Sequence, residues 1–547
     1  MKYLSLMVVI PLIGALVTAF VPKHKPQTAK IIALAVSLIV LALTIGAAFT
    51  FEAGGDRLQL AESYSWIPQW GLRLSFAVDG IALVLIGLSA VLVPLVILAS
   101  WKDFDGEGRA VRAGGSGTDA KESGRQSVDT NTVGDVNGEG KRNVPTFFAL
   151  MLALEATMIG VFAASDVLLF YIFFEVMLVP MYFLIGSYGG PRRQYAAVKF
   201  FLYSLVGGML MLAAVIGLWV TAKNGIGHPT FDWNEIVTLA QSGGIPGDLQ
   251  KWLFLGFFAA FAIKAPFFPF HTWLPDAGGA APAGAAALLV GVLDKVGTFG
   301  ILRYCLPMFP DASKYFAPVA IALSLIGVLY GALLAVGQTD LKRLVAYTSI
   351  SHFGFIGIGI FAFSSQAATG SVLYMVNHGL ATGLLFIVVG FLVQRRGSQS
   401  IADFGGAGKL LPLLSGVFLI AGLASLALPG TSPFVSEFLV LIGTFTVNKT
   451  VAILAALGMV LAAAYILWMY QRTMQGTLNP KLGEIAPMKK DLSVREKVVV
   501  APLIVLIIAL GVYPKPLLDV IEPAVASTMT DIGVSDPAPT AATGAEK

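Results

Sequence analysis

The sequence is poor in cysteine and in charge. Cys305 is the single cysteine among 547 residues, so no disulfide can form within the chain. An iron–sulfur cluster held by cysteines is excluded as well, since it needs about four thiolates. Charged residues make up 12% of the chain, whereas ordinary soluble domains carry about a quarter, and 56% of the residues are hydrophobic. These values favour a polytopic membrane protein.

Motifs for cofactors and nucleic acids are also missing. The sequence contains no Walker motif, no dinucleotide-binding glycine motif and no serine–histidine–acid arrangement, so it gives no sign of ATP or nicotinamide binding. Its five histidines lack the spacing of a metal site. The net charge is only +4, and no basic run alternates with stacking aromatics. We therefore expect no cofactor, no metal and no nucleic-acid partner in this chain.

Long apolar runs dominate what remains. A membrane-spanning helix takes about 20 apolar residues, which predicts an all-α polytopic membrane protein with about 14 transmembrane helices. The first run is too long for a typical signal peptide, so we expect it to stay uncleaved. The predicted spans are 4–21, 31–50, 79–100, 145–164, 166–187, 197–221, 251–271, 282–304, 316–337, 343–363, 370–393, 411–445 with a break, 450–470 and 495–513.

Lysine and arginine are distributed unevenly over the predicted connections. If both termini lie outside, the inner connections hold more than twice as many of these residues as the outer ones. Inner loops of membrane proteins carry this excess, so we predict a multi-pass protein with both termini outside. Residues 101–144 are rich in Gly, Asp, Ser and Lys, and we predict a disordered cytoplasmic loop there.

Two of the predicted spans contain paired prolines. "KAPFFPF" and "LPGTSPF" each place Pro-Phe a few residues after a first proline inside an apolar run. Proline removes a backbone hydrogen bond, and unwound backbone in a membrane is tolerated where it lines a polar cavity or is buried in protein. Broken helices at corresponding places in two halves are typical of transporter pathways. The predicted helix breaks lie at Pro266, Pro269, Pro429 and Pro433.

Titratable residues recur within the predicted spans. A charge at the centre of a membrane costs roughly 2.5–3.5 kcal/mol, so each such residue is a candidate for function. Groups of both signs on successive helices suit a proton relay, because a carboxylate that approaches or leaves a buried lysine changes its affinity for a proton. The candidates are Glu155, Glu175, Lys199, Lys264, Asp294, Lys295, His352, His378 and Glu437.

Several candidates have a simpler explanation. Lys264 and Glu175 could form a structural ion pair, although buried pairs are a weak source of stability. Lys199 lies near the inner end of its span, where a lysine can extend its amine to the surface. Asp294 could serve as the local partner of Lys295, each histidine could be a satisfied core group, and the role of Glu155 stays open.

Five motifs carry a resemblance to a known family. They are "FFEVMLVPMYFLIG", "AIKAPFFPFHTWLPDAG", "DKVGTFGILR", "DLKRLVAYTSISHFGF" and "LPGTSPFVSEF". In this order the chain, from about residue 75 to 475, resembles the antiporter-like membrane subunits of respiratory complex I. Glu437 favours the M-type, because the L-type, the N-type and related antiporter proteins typically carry lysine there. The short stretch after the last span agrees, because the L-type has a long lateral helix.

The resemblance implies an architecture. It implies two inverted five-helix repeats, formed by helices four to eight over 145–305 and helices nine to thirteen over 306–471. Helices seven and twelve are the broken ones. Residues 1–100 would form the first three helices, and 472–547 a loop, the last helix and a polar tail.

The resemblance also implies an activity and partners. Glu175 would pair with Lys264 as the input of a proton relay, Lys295 and the histidines would connect, and Glu437 would be the exit. FMN, iron–sulfur clusters and quinone would belong to partner subunits, which carry out the redox chemistry of the NADH:quinone oxidoreductase. L-type and N-type subunits would flank the chain among the lipids of a bacterial inner membrane.

Other functions are compatible with the same motifs. One is a subunit of a multisubunit cation/proton antiporter or of a membrane-bound hydrogenase. Another is a membrane scaffold that transports nothing.

Overall fold

The N-terminal region combines three helices with a β-hairpin. The computed structural model describes residues 2–104 and 143–535 of the chain. The predicted disordered loop at 101–144 lies almost entirely outside these residues, as do residues 536–547. The elements of the N-terminal region are α1 (Tyr3–Ala19), α2 (Pro26–Thr50), β1 (Gln59–Ile67), β2 (Leu72–Val78) and α3 (Gly80–Ala99).

The next region contains the first broken helix. A long helix, α7, is followed by a short helix and by the break between α9 and α10. The elements are α4 (Val144–Ala163), α5 (Val167–Val176), α6 (Leu178–Tyr188), α7 (Arg193–Ile226), α8 (Trp233–Gln241), α9 (Gly247–Lys264) and α10 (Trp273–Ala280).

Residues 283–308 form one irregular helical span. Two π-helical stretches, Leu289–Leu293 and Ile301–Cys305, separate its three α-helical pieces. These pieces are α11 (Ala283–Leu288), α12 (Lys295–Gly300) and α13 (Leu306–Met308). π-Helical turns are rare and often lie at functional sites, and here the first of them directly precedes Asp294 and Lys295.

The C-terminal half repeats the pattern of long helices and one break. The break separates α17 from α18. The elements are α14 (Pro310–Val336), α15 (Leu341–Phe361), α16 (Ser365–Arg396), α17 (Pro412–Ser425), α18 (Ser432–Val447), α19 (Lys449–Met474), α20 (Pro480–Glu484), α21 (Val494–Val512) and α22 (Lys515–Asp531).

Capping side chains fix several helix starts after polar connections. Asp79 accepts a hydrogen bond from the backbone of the first turn of α3, and Asp340 does the same for α15. Ser493 and Glu496 form a capping box at the start of α21. Each cap satisfies backbone N–H groups that a helix leaves unpaired, and thereby marks where a helix begins.

Length and hydropathy identify most of the predicted spans. Among the described residues, ten helices are long and apolar enough to cross a membrane, or eleven if the bent pair of α21 and α22 counts as one span. Three shorter apolar helices, α1, α17 and α18, fall within further predicted spans. The protein is therefore a mostly helical polytopic membrane protein, and the number of 14 spans stays a prediction.

The expectation of an all-α fold is wrong between the second and third helices. β1 and β2 pair as an antiparallel hairpin, with Glu62 opposite Phe76 and Tyr64 opposite Leu74. Along β1 the side chains alternate in exposure over part of the strand. This period of two is typical of a half-buried strand, but it is short and lies outside the apolar runs.

The expectation of a polar tail after the last span is also wrong over its first part. α22 buries Ile521, Val525 and Met529, which recur every four residues and lie on one face of the helix. This face packs against α3 and α16. A Cβ atom on Gly80 would lie 1.9 Å from the backbone oxygen of Val520, so α22 reaches α3 very closely.

Four of the titratable candidates, Asp294, Lys295, His352 and His378, lie on three central helical segments. The 283–308 span, α15 and α16 are buried over nearly all of their length, whereas α2, α14 and α19 expose an apolar face. A helix with polar residues that is buried on every side must satisfy them within the protein. The partners of these side chains therefore come from neighbouring helices.

Candidate functional site

The first helix break leaves a lysine at its edge. α9 ends at Lys264, and Pro266 and Pro269 lie in the eight residues that separate it from α10. The Lys264 side chain is fully buried, with Nζ 4.8 Å from the ring centre of Phe174 and 5.6 Å from that of Phe200. Within the described residues this Nζ has no hydrogen-bond partner. Aromatic faces are therefore its immediate surroundings.

Glu175 faces the same interior region from another helix. It is the second-last residue of α5, and α6 follows after Met177. Its carboxylate lies against α7 at Gly208, where an added Cβ atom would be 1.7 Å from Oε1. No hydrogen bond or ion pair joins Glu175 to Lys264 in the part of the chain that the structure describes.

Lys295 has three partners. Its Nζ donates to the backbone oxygen of Val290, to Oδ1 of Asp294 at 3.0 Å, and contacts Nδ1 of His378 at 2.7 Å. The π-helical turn before it shifts the register of the helix, so the Asp294 N–H bonds to the oxygen of Leu289, five residues earlier. Asp294 is thus the local partner of Lys295, and its other oxygen has no partner among the described residues.

Two histidines and a tyrosine continue from Lys295. The ring of His378 on α16 lies 5.2 Å from the ring of His352 on α15, measured between centres. The His352 ring lies 5.8 Å from that of Tyr374, whose hydroxyl donates to Oε2 of Glu437 at 3.3 Å. The groups from Lys295 to Glu437 thus lie side by side on four helical segments, with hydrogen bonds at the two ends of the line and ring contacts in the middle. Within the described residues Nε2 of His378 and Nδ1 of His352 have no hydrogen-bond partner.

Tyr374 is a member of this line that the motifs did not reveal. It precedes His378 by four residues on α16, so both side chains lie on the same face of the helix. That spacing is the signal in the sequence that could have identified it.

The second helix break lies next to the line of titratable groups that runs from Lys295 to Glu437. Pro429 lies in the break between α17 and α18, whereas Pro433 lies in the first turn of α18, a position that proline tolerates. Asn377, next to His378, donates to the backbone oxygen of Ser432 at 2.8 Å. Glu437 is buried in the second turn of α18, so it lies close to this break.

Lys199 lies apart from the line. Its Nζ bonds to Oδ2 of Asp276 at 2.7 Å, and Oδ1 of the same carboxylate accepts from Arg343 at 2.5 Å. The triad joins α7, α10 and α15, and its side chains are partly exposed. Asp276 and Arg343 were not among the predicted site residues, because nothing in a single motif indicates that three remote segments meet.

Glu155 also lies outside the line of contacts. It is fully buried on α4, and within the described residues neither carboxylate oxygen has a hydrogen-bond partner. The described residues contain no group of three or more His, Cys, Asp or Glu side chains that could hold a metal ion. Buried acids, amines and imidazoles are groups that can exchange protons with one another.

Comparisons with known proteins agree with this architecture. The sequence profile of the NADH:quinone oxidoreductase/Mrp antiporter transmembrane family matches residues 164–462. NADH-quinone oxidoreductase subunit M of Mycobacterium tuberculosis strain H37Rv is 49% identical over 553 aligned positions, covering 99% of this chain and 96% of the relative. This chain belongs to the NADH:quinone oxidoreductase/Mrp antiporter transmembrane family. A second relative, subunit M of Rhodobacter capsulatus, is 36% identical over 96% of the chain and 95% of its own length.

Solved structures of the family show the same fold. A chain of respiratory complex I from Thermus thermophilus superposes with a TM-score of 0.80 at 28% identity, covering 97% of this chain and 100% of its own. A chain of the Mrp complex from Dietzia sp. also reaches 0.80, at 18% identity with 97% and 99% coverage, and shows the fold alone. The M-type resemblance that rested on Glu437 is confirmed by the subunit M relatives.

Proposed function

We propose that the chain is a membrane-arm subunit of NADH:quinone oxidoreductase that moves a proton through its buried line of titratable groups. NADH oxidation and quinone reduction take place in other subunits and drive this movement. The observation that supports the proposal most directly is the line from Lys295 to Glu437, found in a chain that is 49% identical to a subunit M over nearly its whole length.

The central part of the line suits proton transfer. Lys295 lies within hydrogen-bond reach of both a carboxylate and an imidazole nitrogen. While Asp294 is ionised, it stabilises the ammonium form of Lys295; when it is neutral, Lys295 can give its proton to His378 more readily. His352 and Tyr374 then lead to Glu437, which serves as the exit station.

The input end of the proposed relay, formed by Glu175 and Lys264, is arranged differently from its central part. Lys264 is fully buried and Glu175 is partly buried, and no direct hydrogen bond joins them among the described residues. Desolvation disfavours an isolated ammonium, and a nearby carboxylate stabilises it, so a small movement of either side chain changes which of them holds the proton. We place the loading step here.

The finer architecture forms part of the proposal. It comprises 14 transmembrane helices, two inverted five-helix repeats over 145–305 and 306–471, and both termini outside a bacterial inner membrane. The two breaks, after Lys264 and after Ser425, support corresponding broken helices in the two halves. Flanking L-type and N-type subunits, lipids, and FMN, iron–sulfur clusters and quinone in the partner subunits complete the assembly.

Gentle purification from native membranes tests membership of the complex. A tagged form of the full chain should bring down NADH dehydrogenase subunits together with flavin and iron–sulfur clusters. A tagged L-type subunit from the same cells serves as the control and should give the same set. Recovery of only cation/proton antiporter subunits, or of hydrogenase subunits, would show that the chain works in a different complex.

The scaffold alternative needs a separate test. It predicts that Lys264→Ala and Glu175→Gln leave NADH-driven acidification of inverted membrane vesicles intact once assembly of the complex is verified. A large loss of acidification in assembled complex excludes the scaffold.

A further inference from the structure

The input region contains more buried polar groups than the pair of Glu175 and Lys264. Oε1 of Glu175 and Nζ of Lys264 both lack a hydrogen-bond partner among the described residues. A third atom in the same condition is the hydroxyl of Ser204 on α7. Buried polar groups almost always have a partner, so three of them in one region need a common explanation.

Ser204 lies between the positions at which α7 contacts Lys264 and Glu175. Phe200, Ser204 and Gly208 are all buried and follow one another at intervals of four, so they line one face of the helix. The Phe200 ring is near Nζ of Lys264, and Gly208 lies against the carboxylate of Glu175. Along the helix axis Ser204 is about 6 Å from each of these two positions.

The hydroxyl of Ser204 does not bond to its own helix. Serine and threonine within a helix commonly donate to the carbonyl four residues earlier. Ser89 does so in α3, with a distance of 2.8 Å to the oxygen of Leu85, and Thr221 does so in α7 itself. Ser204 is only 2% exposed and makes no such bond, so its hydroxyl is available to a neighbour.

Gly208 determines where the Glu175 carboxylate lies. Any side chain at this position would begin 1.7 Å from Oε1, a distance that no pair of unbonded atoms can keep. Glycine therefore allows the carboxylate to lie against α7, about one turn from Ser204. A larger residue would push the carboxylate away from the helix and from the serine.

We infer that Ser204 is the third member of the input site, where its hydroxyl connects the Lys264 ammonium to the Glu175 carboxylate, and that Gly208 positions that carboxylate. In the transfer step the N–H bond of Lys264 breaks and its proton reaches the Ser204 oxygen. The hydroxyl proton of Ser204 leaves at the same time for Glu175. One proton moves, the serine is regenerated and no electrons are exchanged. The inference rests on the proposed function.

Substitution of Ser204 in the assembled complex tests the inference. We expect Ser204→Ala to lower the initial rate of NADH-driven acidification by about three- to tenfold, the effect of losing one hydrogen bond. Ser204→Thr keeps the hydroxyl and should retain most of the rate. A packing role predicts the opposite order, because alanine fits the site whereas threonine adds a methyl group. Ser89→Ala, which removes a buried hydroxyl elsewhere, serves as the control and should pump normally.

Substitution of Gly208 provides the second readout. Gly208→Ala should lower acidification at least as much as Ser204→Ala, whereas Gly87→Ala, whose added Cβ meets nothing within 4 Å, should have no effect. Each variant is compared at equal content of assembled complex. If Lys264→Ala abolishes pumping while Ser204→Ala pumps normally, the role of Ser204 is refuted and the proposed function stands. If Lys264→Ala itself pumps normally, the proposed function fails.

Discussion

At the scale of single residues, Lys295 and Lys199 illustrate how a proposed relay lysine differs from one in a structural ion pair. Lys295 contacts a carboxylate and an imidazole in a fully buried setting, and the imidazole continues to further titratable groups. Lys199 bonds to Asp276, which is also bound by Arg343, and the three charges are partly exposed. The imidazole of His378 can receive a proton from Lys295. For Lys199 the partner is the Asp276 carboxylate, which stabilises the ammonium form of Lys199.

Replacing these two lysines should separate their roles. Lys295→Ala should lower NADH-driven acidification about tenfold or more, because the line loses its central amine. Lys199→Ala should change the rate by less than about twofold, because Arg343 still neutralises Asp276 and partly exposed ion pairs contribute little. Acidification of inverted vesicles at equal complex content measures both. Equal losses in the two variants would contradict the distinction.

The hydroxyl of Tyr374 is the link to the exit station. Tyr374→Phe keeps the ring but removes the donor to Glu437, so we expect acidification to fall by about three- to tenfold. Tyr188→Phe removes a hydroxyl that donates to the backbone of Asn143 and serves as the matched control. The same initial-rate measurement applies to both variants. Wild-type pumping by Tyr374→Phe would remove Tyr374 from the line.

Some of the candidate site residues could be selected from the sequence alone. An ionisable group in an apolar run is costly, so Lys264, Lys295 and Glu437 could be selected without a structure. Ser204 could not, because a serine in an apolar run costs little and is common, and Tyr374 could be found only through its spacing of four residues from His378. Asp276 was missed because its partners lie on α7 and α15, and a single sequence does not show which segments meet.

At the scale of elements, close helix packing depends on glycine. An added Cβ on Gly354 of α15 would lie 2.5 Å from the backbone oxygen of Ser324 and 2.7 Å from the backbone nitrogen of Val328, both on α14. Backbone atoms cannot move aside as a flexible side chain can. Small residues allow helices in membranes to approach closely, and α14 and α15 use this device beside His352.

A methyl group at this contact should separate the two helices. Gly354→Ala should destabilise the subunit by about 1–3 kcal/mol, the usual effect of overpacking. Gly416→Ala on α17 is the control, since its Cβ would meet nothing within 4 Å. Thermal inactivation of the purified complex, together with the amount assembled, measures the effect. Unchanged heat resistance and yield in Gly354→Ala would show that α14 and α15 tolerate a wider spacing.

Elements were predictable where hydropathy is strong. The helix breaks followed from the paired prolines, because proline removes a backbone hydrogen bond within an apolar run. The hairpin β1–β2 and helix α22 were missed, since both lie outside the long apolar runs. Pro433 was assigned to a break but lies in the first turn of α18 instead, where a proline sacrifices no hydrogen bond.

At the scale of the whole molecule, the titratable groups lie in the centre and apolar faces cover much of the periphery. The central helices contribute Lys295, His352 and His378, while α2, α14 and α19 expose apolar side chains. This arrangement buries most of the line of groups within the protein, and charges in a buried interior influence one another more strongly than charges in water. It also leaves apolar surface for lipids and neighbouring subunits.

The outer elements are joined through one aromatic ring. Trp233 of α8 is stacked between the guanidinium groups of Arg57 and Arg303, at 4.6 and 4.5 Å from the ring centre. Arg57 pairs with Asp531 at the end of α22, and Arg303 pairs with Asp79 at the start of α3. The connection between α2 and β1, α8, α22, the start of α3 and the 283–308 span are thereby linked. Association of distant segments of this kind is visible only in three dimensions.

NADH-driven acidification by Lys264→Ala and Glu437→Gln variants tests the central claim most directly. The full complex is placed in inverted membrane vesicles, its content is equalised, and the initial rate of acidification is recorded with the rate of NADH oxidation. If this chain moves a proton through its buried groups, both variants lose most of the acidification, whereas the Ser89→Ala control keeps it. Wild-type acidification by both variants in fully assembled complex would contradict the account.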